Sequence, residues 1–365
     1  MSTIDIGAAR SATAPVSPTG LRLPALPWAA LPLLAMTLAG AMLLAAGTGA
    51  VSIAPGQAAA ILLSRAGMAL PVEYTAQQEA VLLAIRLPRV LLAAFVGAGL
   101  AAAGATLQGI FRNPLADPGL IGVSSGAATG AVAVIVLGLR PLGLYTLPAA
   151  AFAGGLLATL LVYRLARRGG RTEVTTLLLV GLAVNALLGA LTSFLTFRAT
   201  DPQLRSIVFW LMGGMGAGTW PTLGMAVPFL AVALLLLPRL GRPLNLLALG
   251  EGEAGHLGLD TERLRLAAIA LAALATGAGV AVAGMIGFVG LVTPHLLRLA
   301  IGPDHRMLLP ASALGGATLL VLADLAARMA VRPAELPLGV VTATAGAPFF
   351  LYLIHRTREQ HGGWG

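Results

Sequence analysis

Five histidines, and one acid set well inside a long apolar run, are the side chains on which reactive chemistry could rest. His256, His295, His305, His355 and His361 show no HExxH spacing and no other close metal-ligand pattern. Asp324 lies near the end of its apolar run, and an acid inside a membrane is by default a functional candidate. Arg328 follows four residues later, one helical turn away, so a structural pair near the interface is the competing reading. The sequence contains no GxxxxGK[ST] loop to cradle nucleotide phosphates, so the chain is expected not to hydrolyse ATP itself. Cysteine is absent, which removes disulfides, thiolate metal sites and cysteine nucleophiles together. No series of carboxylates offers a proton relay, which weakens a secondary transporter, and no catalytic constellation supports a membrane enzyme. The expectation is a non-enzyme with no cofactor or metal of its own.

The elements that must position these residues follow from composition. Of 365 residues, 58% are apolar and only 10% charged, against about 25% charged in a soluble domain. Mean hydropathy is +0.89, which excludes a cytosolic or secreted globular protein. A spanning helix needs about 20 apolar residues. Runs of that kind occur at Trp28–Ala50 and at about 88–108, 119–138, 144–165, 174–197, 220–238, 264–284, 286–299, 307–327 and 337–355. The expected fold class is therefore all-α: a polytopic membrane protein of about ten transmembrane helices occupying 28–355. Residues 1–27, with four prolines, read as a disordered tail, and 356–365 as a C-terminal tail. A cleaved signal peptide competes for the first run, whose length favours an uncleaved span. The stretch 203–212 reads as an extra short helix outside the bundle.

The net charge of +9 comes from 23 basic residues, every one an arginine. In a soluble chain that balance would suggest nucleic acid, but these arginines lie between apolar runs and act first as topology signals. With the N-terminus inside, fifteen arginines fall on the cytoplasmic side and eight outside. The group Arg164, Arg167, Arg168 and Arg171 is the strongest local vote. Both termini are thus expected in the cytoplasm, with membrane lipid and no nucleic acid as surroundings. Glycine is abundant, at 46 residues. Gly97, Gly99, Gly104 and Gly109 share one span, and Gly277, Gly279, Gly284, Gly287 and Gly290 crowd another region. Small residues let helix backbones approach closely where no hydrophobic effect drives them together.

Between the sixth and seventh runs, residues 242–262 are too long for a tight connection and are broken by Gly250, Gly255 and Gly258. They read as two short helices at the membrane face, suited to a cleft on a cytoplasmic partner. An amphipathic segment resting on lipid is the alternative, which its acids disfavour on an anionic leaflet. Ordered blocks carry a further signal: Arg86-Leu87-Pro88-Arg89, Leu107-Gln108-Gly109, and Arg112-Asn113-Pro114-Leu115-Ala116-Asp117-Pro118-Gly119. They are followed by Leu249-Gly250-Glu251, Gly287-Phe288-Val289-Gly290-Leu291-Val292-Thr293-Pro294-His295, Asp304-His305-Arg306, and Glu335-Leu336-Pro337-Leu338-Gly339. Over about 28–355 the chain resembles the permease subunits of type II bacterial ABC importers, the family of iron-siderophore, heme and vitamin B12 permeases.

That resemblance implies an inner-membrane homodimer bound to two ATPase subunits, which hold the ATP and Mg, and served by a periplasmic substrate-binding protein. It implies alternating access, with substrate passing between the two copies along the fifth and tenth spans. Gly250, Glu251, Ala254, Leu257 and Gly258 match the segment that couples to the ATPase. Asn113, Leu115, Thr175 and Thr176 match the cytoplasmic gate of the B12 permeases. Turn chemistry alone would also account for Asn113 before Pro114, and helix capping for the threonines. Arg86, Arg89 and Arg328 match the arginines that meet glutamates of the binding protein. Arginine suits that task because its planar fork holds a carboxylate by two bonds. Snorkelling at the headgroups, or pairing of Arg328 with Asp324, competes. The Phe209-Trp210-Leu211-Met212-Gly213-Gly214-Met215 stretch resembles both heme and B12 permeases, and heme is the expected cargo, with cobalamin and ferric siderophores as alternatives.

Overall fold

The computed structural model describes residues 27–360 apart from Ala69 and Gly170, so most of the expected N-terminal tail and residues 361–365 lie outside the described residues. The chain opens with α1 (Pro27–Gly47). Residues 51–86, where hydropathy raises no expectation of helix, form α2 (Pro55–Arg65) and α3 (Ala76–Ala80). Thr75 and Gln78 cap α3 reciprocally: the Thr75 hydroxyl accepts from Gln78 N at 3.1 Å, and the Gln78 amide oxygen accepts from Thr75 N at 2.9 Å. A π-helical turn at Val81–Arg86 joins α3 to α4 (Leu87–Phe111). α4 ends where Arg112 turns left-handed at φ 46°, and Asn113 N reaches back to Gln108 O at 3.1 Å.

The third apolar run starts later than hydropathy suggests. Pro118–Ile121 is a 3-10 turn, Gly122 adopts φ 83°, and only then does α5 (Val123–Leu137) begin. α6 (Thr146–Ala166) leads into a two-residue antiparallel pair, β1 (Arg167–Arg168) with β2 (Arg171–Thr172), and then α7 (Val174–Phe197). The extra helix expected at 203–212 is α8 (Asp201–Met212). It lies across the end of α5, where the Gln203 amide donates to Ile135 O and Val136 O at 3.0 Å each. Both carbonyls belong to the last turn of α5, where the helix itself runs out of donors; Ile135 O also accepts from Gly138 N at 3.3 Å. The remaining elements are α9 (Trp220–Leu236), α10 (Gly241–Ala248), α11 (Glu251–His256), α12 (Thr261–Ala283), α13 (Val289–Ile301), α14 (His305–Met329) and α15 (Leu338–Gln360).

Seven helices are long and apolar enough to cross a membrane, and shorter apolar stretches in α5, α13 and α15 complete the bundle. The even count puts the start of α1 and the end of α15 on one face, which the arginine distribution marks as cytoplasmic. α4 is the centre: 21 of its 25 residues are buried. It packs against α9, α12, α13 and α14. Its glycines make this possible at two crossings. A Cβ on Gly104 would fall on the carbonyl of Gly290 in α13, and one on Gly97 would strike that of Gly316 in α14. α7 is the opposite case. It leans on α5, α6 and the 118–121 turn, burying only Leu177, Gly181 and Val184.

Candidate functional site

At the outer end of the bundle the three arginines singled out by sequence converge, joined by two acids. Arg89 Nε and Nη2 donate to Asp324 Oδ1 at 3.1 and 2.8 Å, while its Nη1 and Nη2 donate to Glu335 at 3.0 and 2.9 Å. Arg328 Nε lies 3.1 Å from Asp324 Oδ2 and its Nη2 donates to Ala45 O at 3.1 Å. The Asp324 side chain is 2% exposed, Arg89 and Arg328 11% each, and Glu335 47%. The i,i+4 pairing of Asp324 with Arg328 is therefore present, but within a larger network. Arg86 departs from the expected docking surface. It is buried, and its Nη1 donates to Ala46 O at 2.7 Å and Gly47 O at 2.9 Å, with Nη2 on Val51 O. Its guanidinium is spent on carbonyls of the last turn of α1 and of the loop that follows it. Arg89 and Arg328 keep a thin accessible edge, with Glu335 on the rim.

At the cytoplasmic end the 242–262 segment folds as α10 and α11, separated by Gly250 at φ 119°. Gly258, at φ 82°, ends the second helix in the left-handed region. Glu251, Leu257 and Gly258 are exposed. Ala254 requires correction: it is 0% exposed, facing its own chain, so it has no surface to offer an ATPase. Glu251 is also engaged inwardly, with its carboxylate on Arg265 at the start of α12. The segment is tied to α14 by Asn245, whose amide nitrogen donates to Asp304 Oδ1 at 2.6 Å and whose oxygen accepts from His305 N at 2.9 Å. Arg306 bonds hold the Asp304 carboxyl well below the ordinary aspartate value, with Asn245 assisting.

The four gate candidates sit at this end, on the loop after α4 and at the start of α7. Asn113 is exposed, and its side-chain oxygen accepts from Leu115 N at 2.9 Å, so it shapes the turn ahead of Pro114. Thr176 donates its hydroxyl to Glu173 Oε2 at 3.0 Å. Leu115 and Thr175 are exposed. Gln108, which sequence reasoning noted only as part of a block, is a buried clasp: its Oε1 accepts from Arg298 at 2.9 Å and its amide donates to Leu291 O at 3.2 Å. Arg265 stands in the sequence only as one more arginine three residues after Glu262, because its other partners, Glu251 and the Thr172 carbonyl, come from other segments. Between the two ends, α7 presents Leu179, Leu182, Leu187, Phe194 and Phe197 outward, and α15 presents Val340, Leu351 and Tyr352. A cavity of about 400 Å³ opens between α8 and the start of α15, lined by Trp210, Gly213, Gly284 and Glu335. Among the described residues no three His, Asp or Glu side chains gather as metal ligands.

These features have close counterparts. A model of the FecCD transport family matches residues 36–356. The chain is 49% identical over 282 residues to the hemin transport system permease protein HmuU of Yersinia pestis, covering 76% of this chain and 84% of that protein. It is 49% identical over 281 residues to the cobalamin import system permease protein BtuC of Halobacterium salinarum, covering 75% and 73%. Against the vitamin B12 import system permease protein BtuC of Escherichia coli the identity is 44% over 286 residues, covering 78% and 87%. A solved inward-facing conformation of a metal-chelate type ABC transporter superposes with a TM-score of 0.79 at 36% identity, covering 89% of this chain and 98% of that one. With the family model spanning most of its length and relatives of this kind on either side, the chain belongs to the FecCD transport family, as a multi-pass inner-membrane permease of the type II ABC importers and not an enzyme.

Proposed function

We propose that two copies of this chain form the translocation unit of a heme importer, powered by two ATPase subunits and loaded by a periplasmic binding protein. The two-faced α7 carries the reading: one face buries Leu177, Gly181 and Val184, while the other holds a column of leucines and phenylalanines left exposed among the described residues. A second copy facing that column would enclose a path with α7 and α15 as its walls. An apolar path supports a flat, largely hydrophobic macrocycle better than an amide-rich corrinoid. Cobalamin is the second reading, favoured by the equal 49% identity to a cobalamin permease. On the cytoplasmic face, Gly250, Glu251, Leu257 and Gly258 meet the ATPase, with Ala254 as the inward anchor of the same helix. Leu115 and Thr175 form the gate surface, and Asn113 and Thr176 hold its backbone in shape. Arg89 and Arg328, steered by charge, receive the binding protein. The test is uptake by proteoliposomes holding the permease with its cognate ATPase and binding protein. ATP-dependent accumulation of hemin, with cyanocobalamin and ferric siderophores left outside, supports heme. Accumulation of cyanocobalamin instead would replace that cargo with cobalamin.

A further inference from the structure

A buried charged node lies between the segment that faces the ATPase and the hairpin that opens α7. Arg265, with a side chain 4% exposed, is its centre. Its Nη2 pairs with Glu251 at the start of α11. Its Nη1 donates to Glu262 Oε1 at 2.8 Å and to Thr172 O at 2.7 Å. Glu262 Oε1 in turn accepts from Thr172 N at 2.9 Å. Thr172, on β2, is thus gripped by both its backbone groups, three residues before Thr175. Glu251, the other end of the chain of bonds, is half-exposed on the cytoplasmic face. We propose that Arg265 is the joint through which displacement of the α10–α11 segment is passed to the gate at the start of α7. The inference rests on the permease reading above and names the residue that makes its coupling mechanical.

The physical reason is the cost of pulling such a node apart. A guanidinium this deeply buried is tolerated because Glu251, Glu262 and the Thr172 carbonyl together compensate it. If α11 shifts and Glu251 moves away, the charge is left undercompensated in a low-dielectric site. The lower-energy course is for Arg265 to follow Glu251, and for Thr172, held at two points, to follow Arg265. The node also has bonding capacity in reserve. Arg265 Nε, Glu262 Oε2 and Thr172 Oγ1 are buried without a hydrogen-bond partner among the described residues. That suits a joint which exchanges partners between two arrangements better than one fixed in a single arrangement.

The test uses the complete transporter in proteoliposomes, with spin labels at Thr175 of both copies. In wild type, nucleotide should change the distance between labels, and a wild type whose labels never respond would overturn the proposed gate at the start of α7, and the joint with it. With a responsive wild type, Arg265→Met should still copurify with the ATPase and hydrolyse ATP within about twofold of wild type. Its uptake per ATP of hemin, or of cyanocobalamin where the wild type carries that instead, should fall at least tenfold, and the nucleotide-dependent movement at Thr175 should be lost. Arg265→Lys, which keeps the charge but not the fork, should recover only part of the uptake. Glu262→Gln loosens the grip on Thr172 while leaving Glu251 on Arg265, and should show the same uncoupling should Arg265→Met fail to fold. Wild-type uptake per ATP together with normal Thr175 movement in either variant would overturn the proposal.

Discussion

Replacing Asp324 by Asn tests whether the outer arginine network is held by one buried carboxylate. Asp324 neutralises two guanidiniums, Arg89 and Arg328, each only 11% exposed. Removing one partner from a buried ion pair costs about 3–5 kcal/mol, because the remaining charge stays buried without compensation. Arg89 retains Glu335 at 2.9 Å, so its loss is partly offset. Arg328 retains only backbone carbonyls, Ala45 O at 3.1 Å and Thr48 O at 3.5 Å. The expected cost is therefore at the lower end, about 3 kcal/mol. At roughly 2 °C per kcal/mol for a chain larger than 250 residues, the midpoint should fall by about 6 °C. The assay is thermal unfolding of the detergent-solubilised permease, followed by size-exclusion fluorescence. Glu335→Gln, which removes an exposed partner, should change stability by less than about 1 kcal/mol. Combining Asp324→Asn with Arg328→Met should recover part of the loss, since the orphaned cation is gone. An Asp324→Asn protein that melts with wild type, or a double variant no better than the single one, would refute the reasoning.

Three further outcomes are expected. Gly104→Val places a side chain on the Gly290 carbonyl, so the variant should insert in the membrane yet lose its monodisperse peak in detergent chromatography. Arg89→Gln should weaken binding-protein association most at low salt, where charges are least screened, and should also lower the melting midpoint, because the buried Asp324 loses one of its two cations; unchanged affinity at low ionic strength would remove Arg89 from the docking surface. The depressed pKa of Asp304 means that its stabilising bonds to Arg306 and Asn245 persist above the ordinary value of 3.8 and fade as pH falls below it. Wild-type melting should therefore decline in acid below that value, and Asp304→Asn should flatten this part of the profile.

Hydropathy made the bundle legible because each span is a run of apolar residues with nothing to confuse it. Even the eighth, short and proline-containing, appears as α13. What hydropathy cannot register is structure outside the membrane, so α2 and α3 went unread although Thr75 and Gln78 carry a capping pattern. The site was legible as residue types but not as pairings. Arg86 and Arg89 differ by three positions and look alike in sequence, yet one turns to the end of α1 and the other to Asp324, 235 residues away. Ala254 illustrates the same limit at shorter range: only its orientation on a six-residue helix separates it from its exposed neighbours. Arg265 carries only the local signal of Glu262, three residues before it on α12, since Glu251 and Thr172 meet it only once α11 and the hairpin have packed.

The burial of α4 has a consequence for how sequence variation in this protein should be ranked. A helix with 21 of 25 residues covered by protein has almost no surface in contact with lipid. The scale that ranks substitutions by ease of membrane entry is therefore inverted along it. Exchanging Ala101 or Gly97 for leucine would improve insertion of the isolated segment, while driving a branched side chain into α14, whose Gly316 lies against both. The harmful alleles on this helix are thus the greasier ones. On α7 the outward positions leave room within the chain for larger side chains, so the same exchange there should spare folding and act instead on the path between the two copies.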